Sequence, residues 1–177
     1  MFETFRMDAA RWDTPGEIGD PTTLGVGRML SLLYRHVGLR CALFLRIGQW
    51  CKRNGIRGGA FACQRLIYRR YGLDIVVGRE FGGGLYIAHP SGVTLAPHRM
   101  GENCSVIAAV TVGMRNEREF PDIGDRVFLG AGARVLGAIR LGDDAQVGAN
   151  AVVVKDVAPA TTVVGIPARP INALESP

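Results

Sequence analysis

Every sixth residue from Ile123 is aliphatic: Ile123, Leu129, Val135, Leu141, Val147 and Val153. Four residues after each comes a small or aliphatic side chain, at Val127, Ala133, Ile139, Ala145, Ala151 and Val157. Glycine follows the first position at Gly124, Gly130, Gly142 and Gly148. A six-residue period fits neither the turn of an α-helix nor the alternation of a plain strand. It is the hexapeptide pattern of a parallel β-helix, in which each hexad supplies one short strand and a turn. Three strands close a triangular coil. The recurring aliphatic residue stacks on its copies inside the prism, and the small residue fits the corner beside it.

The frame runs backward through Met100, Val106 and Val112, and an earlier block holds Ile75, Phe81, Ile87 and Val93. The seven-residue step from Val93 to Met100 predicts one irregular corner. The eleven-residue step from Val112 to Ile123 predicts a protruding, charge-rich loop over 114–122 (MRNEREFPD). Such a loop on a rigid solenoid is either a functional element or a tolerated insertion.

Residues 25–71 carry a different pattern. Val26–Tyr34 and Cys41–Ile47 predict helices, with Gly38, Gly48 and Gly55 as breaks, and a further helix is expected over Ala60–Tyr71. This segment has ten arginines and lysines and no acid, whereas residues 1–24 set two arginines against five acids. The chain therefore divides into an N-terminal tail (1–24), a basic helical segment (25–71), the β-helix (72–169) and a C-terminal tail (170–177). Solenoids need closed ends, so the basic helices are expected to cap the prism. Their composition also suits peripheral contact with an anionic membrane surface.

The 177 residues, 47% hydrophobic and 21% charged with net charge +5, belong to the foldable globular class. No uninterrupted apolar run is long enough to span a bilayer, and Met1–Thr23 lacks the features of a secretory signal. Cys41, Cys51, Cys63 and Cys104 form no C-x-x-C pair, which argues against a zinc knuckle or disulfide framework and for a cytoplasmic protein. No nucleic-acid-binding module is recognised.

His36, His89 and His98 are the three histidines. His36 falls in the basic helices, and His98 is expected to be a plain surface residue. His89 sits two residues past Ile87, near a corner where a side chain points outward. With coils of three hexads, Asp74 stacks near position 92, within reach of His89. An aspartate that holds an imidazole in one tautomer makes a competent general base. Cys104 occupies a small-residue position and is read as core.

Gly72–His89 (GLDIVVGREFGGGLYIAH), Ile123–Gly137 (IGDRVFLGAGARVLG), Val147–Asp156 (VGANAVVVKD) and Val163–Arg169 (VVGIPAR) resemble the bacterial serine O-acetyltransferases and their relatives in polysaccharide biosynthesis. The resemblance implies a left-handed coil, a homotrimer, acetyl-CoA as donor, and a site in the groove between adjacent solenoids; with only His89 and His98 in the solenoid, no metal is expected. It places His89 as catalytic base and Asp74 as the residue orienting it. It also suggests Ala131, Gly132, Ala149 and Asn150 along the donor, with Lys155 and Arg169 near its phosphates.

Two departures bear on the acceptor. Ala88 replaces the aspartate expected before the catalytic histidine, and Phe120 replaces a histidine expected before Pro121. Losing both leaves a serine zwitterion poorly paired. The leading expectation is therefore O-acetylation of a sugar or glycan hydroxyl, closest to polysaccharide biosynthesis, with Phe120 stacking on the sugar. The alternative is a divergent serine acetyltransferase whose Arg115, Asn116 or Arg118 meets the carboxylate. A non-catalytic trimeric scaffold is the third reading.

Overall fold

The computed structural model describes residues 2–13, 18–116 and 118–171. Among these residues four helices come first: α1 (Phe2–Asp13), α2 (Val26–Arg35), α3 (Val37–Arg53) and α4 (Gly59–Tyr71). Fifteen short strands follow and wind into a three-faced parallel β-helix, the fold expected from the hexad period.

The first face stacks β1 (Asp74–Ile75), β4 (Thr94–Leu95), β7 (Thr111–Gly113), β10 (Arg134–Leu136) and β13 (Val152–Val153). The second stacks β2 (Glu80–Phe81), β5 (Arg99–Met100), β8 (Asp122–Ile123) and β11 (Arg140–Leu141). The third stacks β3 (Tyr86–Ile87), β6 (Ser105–Val106), β9 (Phe128–Leu129), β12 (Gln146–Val147) and β14 (Thr162–Gly165). A last strand, β15 (Ala168–Pro170), turns back antiparallel on β14.

All six aliphatic positions from Ile123 to Val153 are buried, and so are Val127, Ala133, Ala145 and Ala151 in the corners. Burying each large aliphatic side chain contributes about 1.5–3 kcal/mol, repeated coil after coil. In the early coils the frame differs from the expectation. Leu95, rather than Val93, stacks between Ile75 and Val112. The irregular corner therefore lies between Ile87 and Leu95, where the chain has two residues more than a hexad, and the Leu95–Met100 step is one residue short. Both Val93 and Leu95 are buried aliphatics, so burial pattern alone could not choose between them.

Helix α3 lies against the first coil. Gly38 and Gly48, expected as breaks, are inside this helix. A Cβ on Gly38 would overlap the carbonyl oxygen of Ile87, and one on Gly48 would collide with Val77. These glycines allow helix and solenoid to approach closely, a role that a sequence pattern does not separate from helix breaking. Gly55, in the turn after α3, has φ +68°.

The stretch read as an N-terminal tail contains α1, which packs Phe5, Ala9 and Ala10 with Met29 and Leu32 of α2 and Leu39 and Ala42 of α3. Asp8 of α1 and Arg46 of α3 are both buried and form a two-pronged ion pair. Arg46 also donates to the carbonyls of Phe81 and Gly82, and Asp8 accepts the N–H of Leu85. The helices thus close the first coil through a charged pair as well as apolar contact. No helix among the described residues is long and apolar enough to cross a membrane. Residues 172–177 of the expected C-terminal tail lie outside the described residues.

Candidate active site

The edge where the third face turns into the first carries His89. Here the expanded corner from Ala88 to Val93 is tied down at both ends: Ala88 N–H donates to Val106 O at 3.0 Å, and Gly92 N–H donates to Gly72 O at 3.1 Å. The two extra residues push the start of the corner outward, and His89 is exposed. It lines a cleft of 820 Å³ together with Ala88, Pro90 and Ser91 of the corner, Tyr86 of β3, and residues of α1, α3 and α4. This size is ordinary for small-molecule sites.

Asp74 lies just past the same edge and points outward from β1. Its register partner is Thr94, not a residue near 92, because of the two added residues. Asp74 N–H donates to Val93 O at 2.9 Å, so the backbone of one candidate is bonded to the corner that presents the other. Among the described residues no side-chain hydrogen bond joins Asp74 to His89.

Ala131, Gly132, Ala149 and Asn150 occupy this same edge in later coils. Gly132 N–H donates to Ala108 O and Asn150 N–H to Ala131 O, each at 2.8 Å, so the corners stack directly. Ala131, Ala149 and Asn150 are exposed. With strands spaced roughly 4.8 Å apart, Ala131 stands about two coils and Ala149 about three coils from His89. One edge of the prism therefore holds the imidazole and a ladder of small corner residues.

The other candidates are elsewhere. Arg115 and Asn116 line a 280 Å³ hollow with Glu119, Leu136, Gly137 and Val154, on the edge between the first and second faces. Lys155 follows Val154 there and is exposed. Arg169 is exposed on β15, where it donates to the carbonyl of Ala168. Phe120 does not offer the open ring expected of it: the guanidinium of Arg79 sits 4.3 Å from its centroid, a cation–π contact that covers one face. Within one chain, then, the loop and Lys155 do not share a cavity with His89.

Sequence reasoning missed two features. His98, read as a plain surface residue, has Nδ1 2.8 Å from Asp122 Oδ1 on the second face, the closest histidine–carboxylate contact among the described residues. The register partner of Asp122 is Arg99, next to His98, but the shortened step before Met100 hid that pairing. The second feature is the far wall of the His89 cleft, built by Trp12, Arg35, His36, Arg40, Arg70 and Tyr71. Trp12 comes from the stretch read as a tail, and nothing in its local sequence signals the contact. Burial pushes the thiols of Cys41 and Cys104 up to about 12, which suits core residues and not thiolate nucleophiles.

Comparison with known proteins agrees with the hexad fold. The bacterial transferase hexapeptide family (six repeats) matches residues 120–155. A serine acetyltransferase of Mycobacterium tuberculosis is 36% identical over 147 residues, 81% of this chain and 64% of that protein. The serine acetyltransferase of Helicobacter pylori strain J99 is 34% identical over 146 residues, which are 80% of this chain and 85% of that protein. The chain belongs to the serine acetyltransferase family. Among solved structures, soybean serine acetyltransferase complexed with serine superposes with a TM-score of 0.78 at 32% identity, over 94% of this chain and 67% of that one. A serine acetyltransferase complexed with CoA superposes at 0.77 and 26% identity, over 96% and 68%.

Membership of the serine acetyltransferase family corrects the leading sequence expectation. The relatives of 31–36% identity are serine acetyltransferases, which overturns the assignment to sugar O-acetylation and the placement nearest to polysaccharide biosynthesis. That expectation rested on Ala88 and Phe120, two positions in one chain, and on an apolar ring that Arg79 covers. The matched stretch spans just under two thirds of the M. tuberculosis serine acetyltransferase, and half of that of Escherichia coli.

Proposed function

We propose that this protein transfers the acetyl group of acetyl-CoA to the hydroxyl of L-serine. The observation that carries the reading is the shared edge: an exposed His89 in an 820 Å³ cleft, in line with the stacked corners of Ala131, Gly132, Ala149 and Asn150. Family membership supplies the donor and acceptor classes, because relatives are serine acetyltransferases with structures holding CoA or serine.

In this reading His89 accepts the serine hydroxyl proton as that oxygen attacks the thioester carbonyl. The C–S bond then breaks, and the imidazolium returns its proton to the departing thiolate. Asp74 steadies the charged ring, and backbone N–H groups beside His89 stabilise the oxyanion. Lys155 and Arg169 are assigned to the donor's phosphates, where a cation facing a phosphate is favourable.

The candidate residues fall on two different edges, with Ala88, His89 and the amide ladder on one and Arg115, Asn116, Phe120 and Lys155 on the other. A homotrimer, with one protomer's edge facing another's, brings the two sets into one groove. The measurement that checks this assembly is sedimentation, with an expected mass three times the 19.0 kDa of the chain. The activity test is formation of O-acetylserine and free CoA from acetyl-CoA and L-serine. No product from the wild-type protein, or full turnover by His89→Ala, overturns the reading.

A further inference from the structure

The cleft around His89 has a chemistry of its own on the wall opposite the histidine. Arg35 and Arg70 stand exposed at its rim, and Arg40 is half-buried deeper in. None of these three forms an ion pair, and no carboxylate lines the cleft, among the described residues. Arg40 Nη1 donates to the carbonyl of Tyr34, and three arginines lining one concavity without an acid make a positive field there.

Two donors in this wall are also unanswered. The indole N–H of Trp12 and the Nε–H of Arg40 are shielded from water and have no acceptor among the described residues. A buried donor left unsatisfied costs about 1–3 kcal/mol, and more where the group is charged. Trp12 is not free to swing away. Its ring lies between His36 and Tyr86, with centroids 4.4 Å from each. Both atoms are closed off from the cleft itself, so what the cleft presents to an occupant is the uncompensated positive charge of its arginines, beside the fixed ring of Trp12.

We propose that this wall is an oxyanion-binding subsite, in which Arg40 and Arg70, beside the ring of Trp12, hold the anionic group of the acceptor while its hydroxyl faces His89. The inference rests on the transfer reading above and deepens it. For L-serine the anion is the carboxylate; a phosphate-bearing alcohol presents the same chemistry. The departure at Phe120 then has a physical counterpart: the carboxylate partner missing from the loop is supplied by the helical cap. It also gives the acid-free composition of residues 25–71 a task, since an acid among these arginines would neutralise the site.

Two measurements test this. In ¹H–¹⁵N spectra of the intact protein titrated with inorganic phosphate, the Trp12 indole resonance should move saturably, and Arg40→Gln should weaken that binding roughly tenfold or more. In steady-state assays, Arg40→Gln and Arg70→Gln should raise KM for L-serine about tenfold or more, with a much smaller effect on kcat. Serinamide, which lacks the carboxylate, should show a high KM that these substitutions do not change further. Competitive inhibition by phosphate, with equal KM for serine and serinamide, instead assigns the subsite to a phosphate-bearing acceptor. Absence of a saturable Trp12 shift together with an unchanged KM in both variants overturns the subsite while leaving serine transfer standing. Saturable phosphate binding in a protein that does not acetylate serine keeps the subsite and overturns the transfer reading.

Discussion

Arg46 donates to both carboxylate oxygens of Asp8, through Nε at 2.8 Å and Nη2 at 2.9 Å, in the interior where the helices meet the first coil. Its other hydrogens go to Phe81 O, Gly82 O and Gln49 Oε1, so every N–H of the guanidinium has an acceptor. Full satisfaction is what makes a buried charge tolerable. Breaking the pair from one side should therefore be costly. Asp8→Leu or Arg46→Met is expected to lower stability by about 3–5 kcal/mol, and the double variant Asp8→Leu/Arg46→Met should recover much of the loss. Urea unfolding of the four proteins checks the cycle; additive losses would refute it.

Gly38 and Gly27 are both helical glycines, with opposite surroundings. A Cβ on Gly38 would strike the Ile87 carbonyl, whereas one on Gly27 meets nothing within 4 Å. Gly38→Ala is expected to destabilise by roughly 1–3 kcal/mol, as overpacking does. Gly27→Ala should stabilise by about 0.5–1 kcal/mol through helix propensity. Thermal melting of the two variants tests the sign of each.

His89 and His98 separate chemistry from mere contact with a carboxylate. His98 has the closer acidic partner, yet it lies on the second face, away from the cleft and its edge. His89→Ala should reduce kcat about 10²–10⁴-fold, the usual contribution of a general base, while His98→Gln leaves turnover intact. Comparable losses in both would place the site on the wrong face.

Cys104 and Cys41 should resist alkylation. Burial pushes both thiols up to about 12, so little thiolate forms at mildly alkaline pH. Iodoacetamide followed by mass spectrometry should modify neither in the folded protein and all four cysteines after denaturation. Cys104→Ala should keep its acetyl-transfer activity.

His36 gives the cap a pH dependence. Burial, with Arg35 beside it, holds the imidazole below its ordinary value. The folded state then binds protons less readily than the unfolded chain, so this contribution is complete above the unfolded value of about 6.5 and is lost as pH falls below it. Melting temperature should drop on acidification through that range, and His36→Asn should flatten this part of the profile.

The solenoid was legible because a hexad repeat writes the same burial demand many times over, so a slip at one corner does not erase the rest. The fold class, the core positions from Ile123 to Val153 and the outward corner of His89 could all be read from spacing. The early frame could not. Val93 and Leu95 are both buried, and only the pairing of β1 with β4 shows which one stacks.

The linear pattern by itself determined the three-faced coil, because its physical cause is local: one aliphatic and one small residue per hexad, repeated. Tertiary structure decided what faces His89. Trp12, Arg40 and Arg70 come from three different helices, and their meeting depends on α1 folding back through Asp8 onto Arg46. Such a meeting leaves no periodic trace along the chain, since each contact is made once and between residues distant in sequence.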